Sequence, residues 1–394
     1  MAHAARSAGP PNLTATATWR HHLDSPVTSS AEGVLRVARD TVGLHSTLPG
    51  TPYLSLKARI GDFTTDDLDI EVYEHRSLVR LKVMRGTVFL LTRAMAQIAF
   101  AATVELTLGR DRKWLRLDPG VFRRVAPLVL EALGQESLTT SELRSRVHHA
   151  DLAAVVALLC DEARIVRDRP AGGRTSTSYR YRRWDHAFPD LDLAAYDGET
   201  ATDELIRRYV ESYGPVSFAD VVWWTGLPAQ RVRAALGRMA DELQTINGPA
   251  AGQQWLKTYD TKDGQPVPGG RTPLVRLLPQ LDPYTMGYRE RARLIDAEHE
   301  ALVYDRGGNA TSVVLQDGRV TGVWDLTESP ARGGRVMLFD PASAVKRRVL
   351  DLVAETGEFW FGHSIPVREY EQMVPFGRRT GVMRNPLDGA TPAA

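Results

Sequence analysis

The chain has 394 residues, 43% of them hydrophobic, enough for packed cores in two or three domains. Its formal net charge of +1 announces no polyanionic partner, and its single cysteine, Cys160, excludes an internal disulfide and a thiolate zinc site. No apolar run approaches a membrane span, and the start MAHAARSAGPPNLTATATW lacks a signal-peptide core, so the expected location is the cytoplasm.

In chain order, residues 1–12 read as a disordered N-terminus. Residues 13–118 read as a first, divergent winged helix. Ser29 and Glu32 frame a cap for AEGVLRVARD, Thr64 and Asp67 open a helix over DDLDIEVYEH, and SLVRLKVMRGTVFLLT makes a hairpin around Arg85–Gly86. Residues 119–186 form the clearest unit. VFRRVAPLVLEAL is one helix, and Thr139 with Glu142 makes a capping box for TSELRSRV. DLAAVVALLCDEARI then carries Leu152, Val155, Val156, Leu159, Cys160 and Ala163 at helical spacing, which makes Cys160 a core residue before it is a nucleophile. The segment IVRDRPAGGRTSTSYRYRRW supplies strand, turn and strand, a β-wing.

Residues 187–250 repeat the pattern with TDELIRRYVESYG, SFADVVWWTG and PAQRVRAALGRMADEL, where Pro228 suits a first helical turn. Residues 251–382 are β-rich, with a hairpin signal at Asp317–Gly318 and a helix over ASAVKRRVLDLVAETG, and the expectation is a small β-barrel or curled sheet. Residues 383–394 read as a disordered tail. The fold class is α+β: three tandem winged helices and a C-terminal β-barrel-like domain.

Arginine supplies 43 of the 49 basic groups, an excess that codon bias explains in part and phosphate binding in part. Its placement is informative. Residues 164–184 hold seven arginines against Asp168 alone, whereas residues 185–204 hold seven acids and no Lys or Arg. Such blocks cancel in the total and conceal a basic footprint. Arg174 in the wing turn, Arg180, Arg182 and Arg183 on its strand, and Arg231 on the third unit are therefore candidate DNA contacts. The alternative for the wing is a solvated edge strand protected by charge.

The stretch TVGLHSTLPGTPYLSLKARIGDFTTDDLDIEVYEHRSLVRLKVMRGTVFLL resembles the signature region of the AlkZ/YcaQ family of bacterial DNA glycosylases. Gly43, Leu44, Tyr53, Leu56, Arg59, Arg76, Arg80, Met84, Arg85, Gly86 and Thr87 carry the likeness, and LVRLLPQLDPYTMGYRERARL with VVLQDGRVTGVWDL adds to it. The resemblance implies a C-shaped molecule around a DNA channel, with Arg59 and Arg85 among the DNA contacts. It implies hydrolysis of the N-glycosidic bond of alkylated purines in double-stranded DNA, above all bulky N7-alkylguanine. Some members unhook crosslinks or protect makers of DNA-alkylating antibiotics. A nucleoid-associated monomer is expected.

At the family's Gln-x-Gln positions this chain has His45 and Thr47. An N7-alkylated guanine is already cationic and leaves without protonation. The site then needs a positioned water and no positive charge beside the sugar. Neutral imidazole can hold that water and accept its proton, and a hydroxyl can add a hydrogen bond. With an ordinary imidazole pKa, activity should fall below about pH 6.5. Otherwise His45 and Thr47 merely fill a turn. Asp282 stands either to stabilise the sugar cation or to cap a turn before Pro283. No lysine presents itself for a lyase step. No P-loop or zinc ligand set occurs, so no nucleotide cofactor and no metal are expected. The alternative function is a non-catalytic winged-helix transcriptional regulator or a damage-binding protein.

Overall fold

One order of elements, helix–strand–helix–helix–strand–strand, recurs along the chain. The computed structural model describes residues 13–27, 31–248, 254–258, 273–327, 333–376, 385–388 and 391–392. After a leading helix α1 (Leu13–Arg20) come α2 (Ala31–Asp40), β1 (Leu44–His45), α3 (Thr51–Lys57), α4 (Thr65–Asp69, continued by a π turn), β2 (Leu78–Lys82) and β3 (Val88–Thr92). The long helix α5 (Arg93–Leu115) then leads to α6 (Pro119–Leu133), β4 (Leu138–Thr139), α7 (Thr140–Arg146), α8 (Leu152–Asp161), β5 (Ile165–Pro170) and β6 (Tyr179–Arg183). A short α9 (Trp184–Ala187) precedes α10 (Gly198–Tyr213), β7 (Val216–Ser217), α11 (Phe218–Thr225), α12 (Ala229–Arg238), β8 (Leu243–Asn247) and β9 (Gln254–Thr258). In each set the first strand pairs with the third: β1-β3-β2, β4-β6-β5 and β7-β9-β8.

Local chemistry starts these elements. Capping boxes at Thr64/Asp67, Thr139/Glu142 and Ser217/Asp220 satisfy free amides at the starts of α4, α7 and α11. Pro228 stands just ahead of α12 as its N-cap, not inside its first turn. The β2–β3 hairpin turns through Arg85 (φ 54) and Gly86 (φ 66), and a Cβ at position 86 would overlap the Arg110 guanidinium. The expected cap at Ser29 and the N-terminal tail 1–12 lie outside the described residues.

The last region holds β10 (Val275–Leu278), α13 (Glu300–Val303), β11 (Val313–Gln316), β12 (Arg319–Leu326), β13 (Gly334–Leu338), α14 (Lys346–Phe361), β14 (Val367–Gln372) and β15 (Thr391–Pro392). It is not a barrel. The six strands lie in sequence order in one sheet, and its end strands β10 and β15 do not pair with each other. The side-chain alternation gives the reason. Val275, Leu277, Val314, Trp324 and Val336 face a cluster with Val349 and Val353 of α14, whereas Leu278, Val313, Leu315, Val323 and Met337 join the large core shared with the first and third sets. Both faces are covered by neighbours, so the sheet has no need to close.

The C-terminal tail also departs from expectation. Leu387 is buried, its amide donates to Asp325, and Arg335 pairs with Asp388 at 2.8 Å. The second set keeps a core largely its own, with Val129, Leu143, Val155, Leu159 and Cys160 inside it.

Candidate active site

The backbone reaches His45 through a sharp bend between α2 and β1. Val42 has φ 55 and Gly43 φ 104, and a Cβ on Gly43 would stand 2.5 Å from the Leu91 side chain. Only glycine meets both conditions. The two-residue strand then divides its side chains. Leu44 enters the core of the first set, while His45 pairs with Phe89 of β3 and packs on its ring, centroids 4.2 Å apart.

His45 is 4% exposed, and its Nδ1 is buried without a hydrogen-bond partner among the described residues. Burial pushes the imidazole pKa down to about 3, and the charge of Arg85 adds to the effect. The ring is therefore neutral throughout the physiological range. The expected loss of activity near pH 6.5 is corrected accordingly.

The loop after His45 is pinned to β3 on both sides. The Ser46 amide donates to the Val88 carbonyl, and the Val88 amide donates to Thr47 Oγ1 at 3.3 Å. Thr47 is half-buried, with its hydroxyl proton left to donate. Ser46 Oγ accepts from Arg80, whose guanidinium also donates to the carbonyls of Arg167 and Asp168 and to the Tyr73 hydroxyl. Arg80 thus ties the loop to the second set. The β5–β6 turn returns over the same loop, with Arg174 5.9 Å from the Tyr53 ring.

Two sequence candidates are removed from the surface. Arg59 and Asp282 have fully buried side chains, joined by two hydrogen bonds of 2.8 and 2.7 Å. Asp282 accepts further bonds from Ser55 Oγ and the Tyr284 amide, and Arg59 donates to the carbonyls of His21 and Ser55. This closed pair fastens α3 to the loop after β10. Arg59 does not reach DNA from this position, and Asp282 does not face a sugar: neither has a donor or oxygen turned to solvent.

Arg85 lies over the Trp223 ring at 3.8 Å and donates to the Gly307 carbonyl. Burial, then the nearby Arg291, lowers its pKa to about 10. The wing arginines have internal partners: Arg180 with Glu142 and the Ser137 carbonyl, Arg182 with Asp168 at 3.4 Å, Arg183 with Asp185. Arg231 donates to the Gly198 carbonyl, while Arg174 is exposed. Sequence reasoning passed over Phe89 and Trp223. The first emerges only from strand register, and the second from a contact between distant sets.

Among the described residues, no group of three His, Cys, Asp or Glu side chains could hold a metal ion. Burial pushes the Cys160 thiol up to about 11, so it is no nucleophile at neutral pH. Among the described residues, no helix is long and apolar enough to cross a membrane.

The profile of the DNA glycosylase AlkZ-like family matches residues 38–359. A curated Streptomyces sahachiroi protein, "Interstrand DNA cross-link repair glycosylase", is 28% identical over 136 residues, 33% of this chain and 35% of that protein. The matched stretch thus spans about a third of the length of that relative. The solved structure of Streptomyces sahachiroi DNA glycosylase AlkZ superposes with a TM-score of 0.72 at 20% identity, covering 91% of this chain and 98% of that one. That likeness concerns the fold, while the profile reaches from the helix before His45 to the end of α14. The chain belongs to the AlkZ-like DNA glycosylase family.

Proposed function

We propose that this protein is a monofunctional DNA glycosylase that hydrolyses the N-glycosidic bond of bulky N7-alkylguanine in double-stranded DNA. In this reading the three recurring sets are winged helices around a DNA channel, the protein acts as a monomer, and self-resistance to a DNA-alkylating natural product is its role. The observation that carries the reading is His45 at the family's motif position, packed on Phe89 and held neutral by burial.

The departing base is already a cation, so it leaves as a neutral purine and the charge passes to the sugar. A protonated imidazole there would oppose that charge, whereas a neutral ring accepts a hydrogen bond from water and leaves the developing cation unopposed. Thr47, fixed by the Val88 amide, retains a proton to donate to the same water. A base as weak as His45 orients the water and does not deprotonate it in advance. The water oxygen bonds to the anomeric carbon as the bond to guanine breaks, and its proton passes to solvent.

Incubation with a duplex carrying an N7-alkylguanine adduct, followed by hot alkali, should reveal strand breaks at the abasic site. His45→Ala should lower the excision rate by about two orders of magnitude, within the range for a positioned acid or base, at unchanged DNA affinity. Full activity in that variant would sink the assignment. A second reading, damage binding without excision, is favoured by the 4% exposure of His45. Tight binding of the adduct with no alkali-labile product would select it.

A further inference from the structure

The molecule's most exposed large apolar side chain among the described residues is Trp114, 78% exposed on the last turn of α5. Near it in the chain lie Lys113 on the same turn, Arg116 at the C-cap of α5, and Arg123 and Arg124 on the next helix α6, all exposed, and none has an ion-pair partner among the described residues. Arg180, Arg182 and Arg183 of the second wing, by contrast, have internal partners.

Two of these cations crowd the positive end of a helix. A Cβ on Gly120, in the first turn of α6, would stand 2.8 Å from Asp118 Oδ1, 3.4 Å from the Arg124 guanidinium and 3.9 Å from that of Arg123. Cations at a helix start are repelled by its dipole, and an anion laid across them relieves that repulsion. Asp118, the one carboxylate in the junction, is engaged in capping α6 through the Val121 amide.

We propose that this α5–α6 junction is a second DNA contact, gripping the phosphate backbone within one turn of the damaged nucleotide while Trp114 lies against the sugars. The proposal rests on the reading of the protein as a DNA glycosylase. Charge complementarity selects the partner, because unpaired guanidiniums and ammonium flanking an aromatic face match a phosphate-rich strand. Position agrees. One turn before Trp114, Arg110 donates to the Arg85 carbonyl at the tip of the β2–β3 hairpin that carries Phe89. Strand and helix rises along that path keep the junction within about 30 Å of His45, less than one turn of duplex at ~34 Å.

The test uses the full chain and an undamaged 30-base-pair duplex (a length on the order of three turns). Binding is followed by fluorescence anisotropy across a salt series, for the wild type, for a variant with Lys113, Arg116, Arg123 and Arg124 all changed to Ser, and for Trp114→Ser. The charge variant should lower the slope of log K against log salt by about 3 to 4 units. Trp114→Ser should weaken binding about tenfold at an unchanged slope. All five side chains are exposed, so melting temperatures should stay level. An unchanged slope, or binding of the wild-type patch to anionic phospholipid vesicles in preference to duplex, would overturn the proposal. Loss of excision in the wild type with an altered slope in the variant would refute the enzyme and spare the contact.

Discussion

Arg59 and Asp282, separated by 223 positions in sequence, meet as a fully buried ion pair with every hydrogen bond internal. Such a pair specifies how α3 seats on the loop after β10. Removing one partner leaves the other buried and uncompensated, at a cost of about 3–5 kcal/mol. Asp282→Asn should therefore lower the melting temperature by several degrees, and denaturant titration should show the loss. Were Asp282 instead a group that touches the substrate, the variant would keep its stability and lose only rate.

His45 is held neutral by burial, with a pKa of about 3. The excision rate should accordingly stay level between pH 5 and 8 and decline only in strongly acidic buffer. Stability follows the same linkage. The folded-state pKa is depressed below the ordinary imidazole value, so an unfolded chain takes up a proton first as pH falls. The contribution of His45 is complete above about pH 7 and is lost progressively below about 6.5. His45→Gln should remove this component from a plot of unfolding free energy against pH. A rate that halves near pH 6.5 would place the titrating imidazole in water.

Asp161 of α8 has no exposed side-chain surface and faces Asp111 of α5 and Lys82 of β2, at the join of the first and second sets. Burial, then Asp111, pushes its carboxyl up to about 7. The sign is opposite to that of a surface carboxylate. The folded protein retains a proton that the unfolded chain gives up near pH 4, so this contribution is present in acid and is lost as pH rises to 7. Asp161→Asn should add about 1 kcal/mol at pH 8 and flatten the pH dependence between 5 and 8, read from chemical denaturation. A variant less stable than wild type at pH 8 would show that the charged form is the one the fold prefers.

Much of this architecture is written locally. The capping boxes at Thr64 and Thr139, the turn at Asp317–Gly318 and the buried stripe around Cys160 follow from short-range rules, and each occurs where those rules place it. What is not local is not legible in the sequence. A run of arginines in sequence says nothing about which carboxylates the fold will bring to them, and Glu142, Asp168 and Asp185 pair with Arg180, Arg182 and Arg183. Asp282 reads like a site residue because nothing in LLPQLDPY reveals Arg59 beneath it. The sheet stays open because of what covers it, which strand patterns do not encode.

The bend at Gly43 depends on backbone torsion and on the close approach of Phe89, Leu90 and Leu91 of β3. The bend itself is set before the two side chains it displays next, although Thr47 Oγ1 and the His45 ring then tie the loop to β3. Chemistry at positions 45 and 47 can be exchanged like a tool in a fixed handle: an amide pair in place of imidazole and hydroxyl needs no new turn. Position 43, by contrast, admits no such exchange, since any Cβ there meets the Leu91 side chain at 2.5 Å.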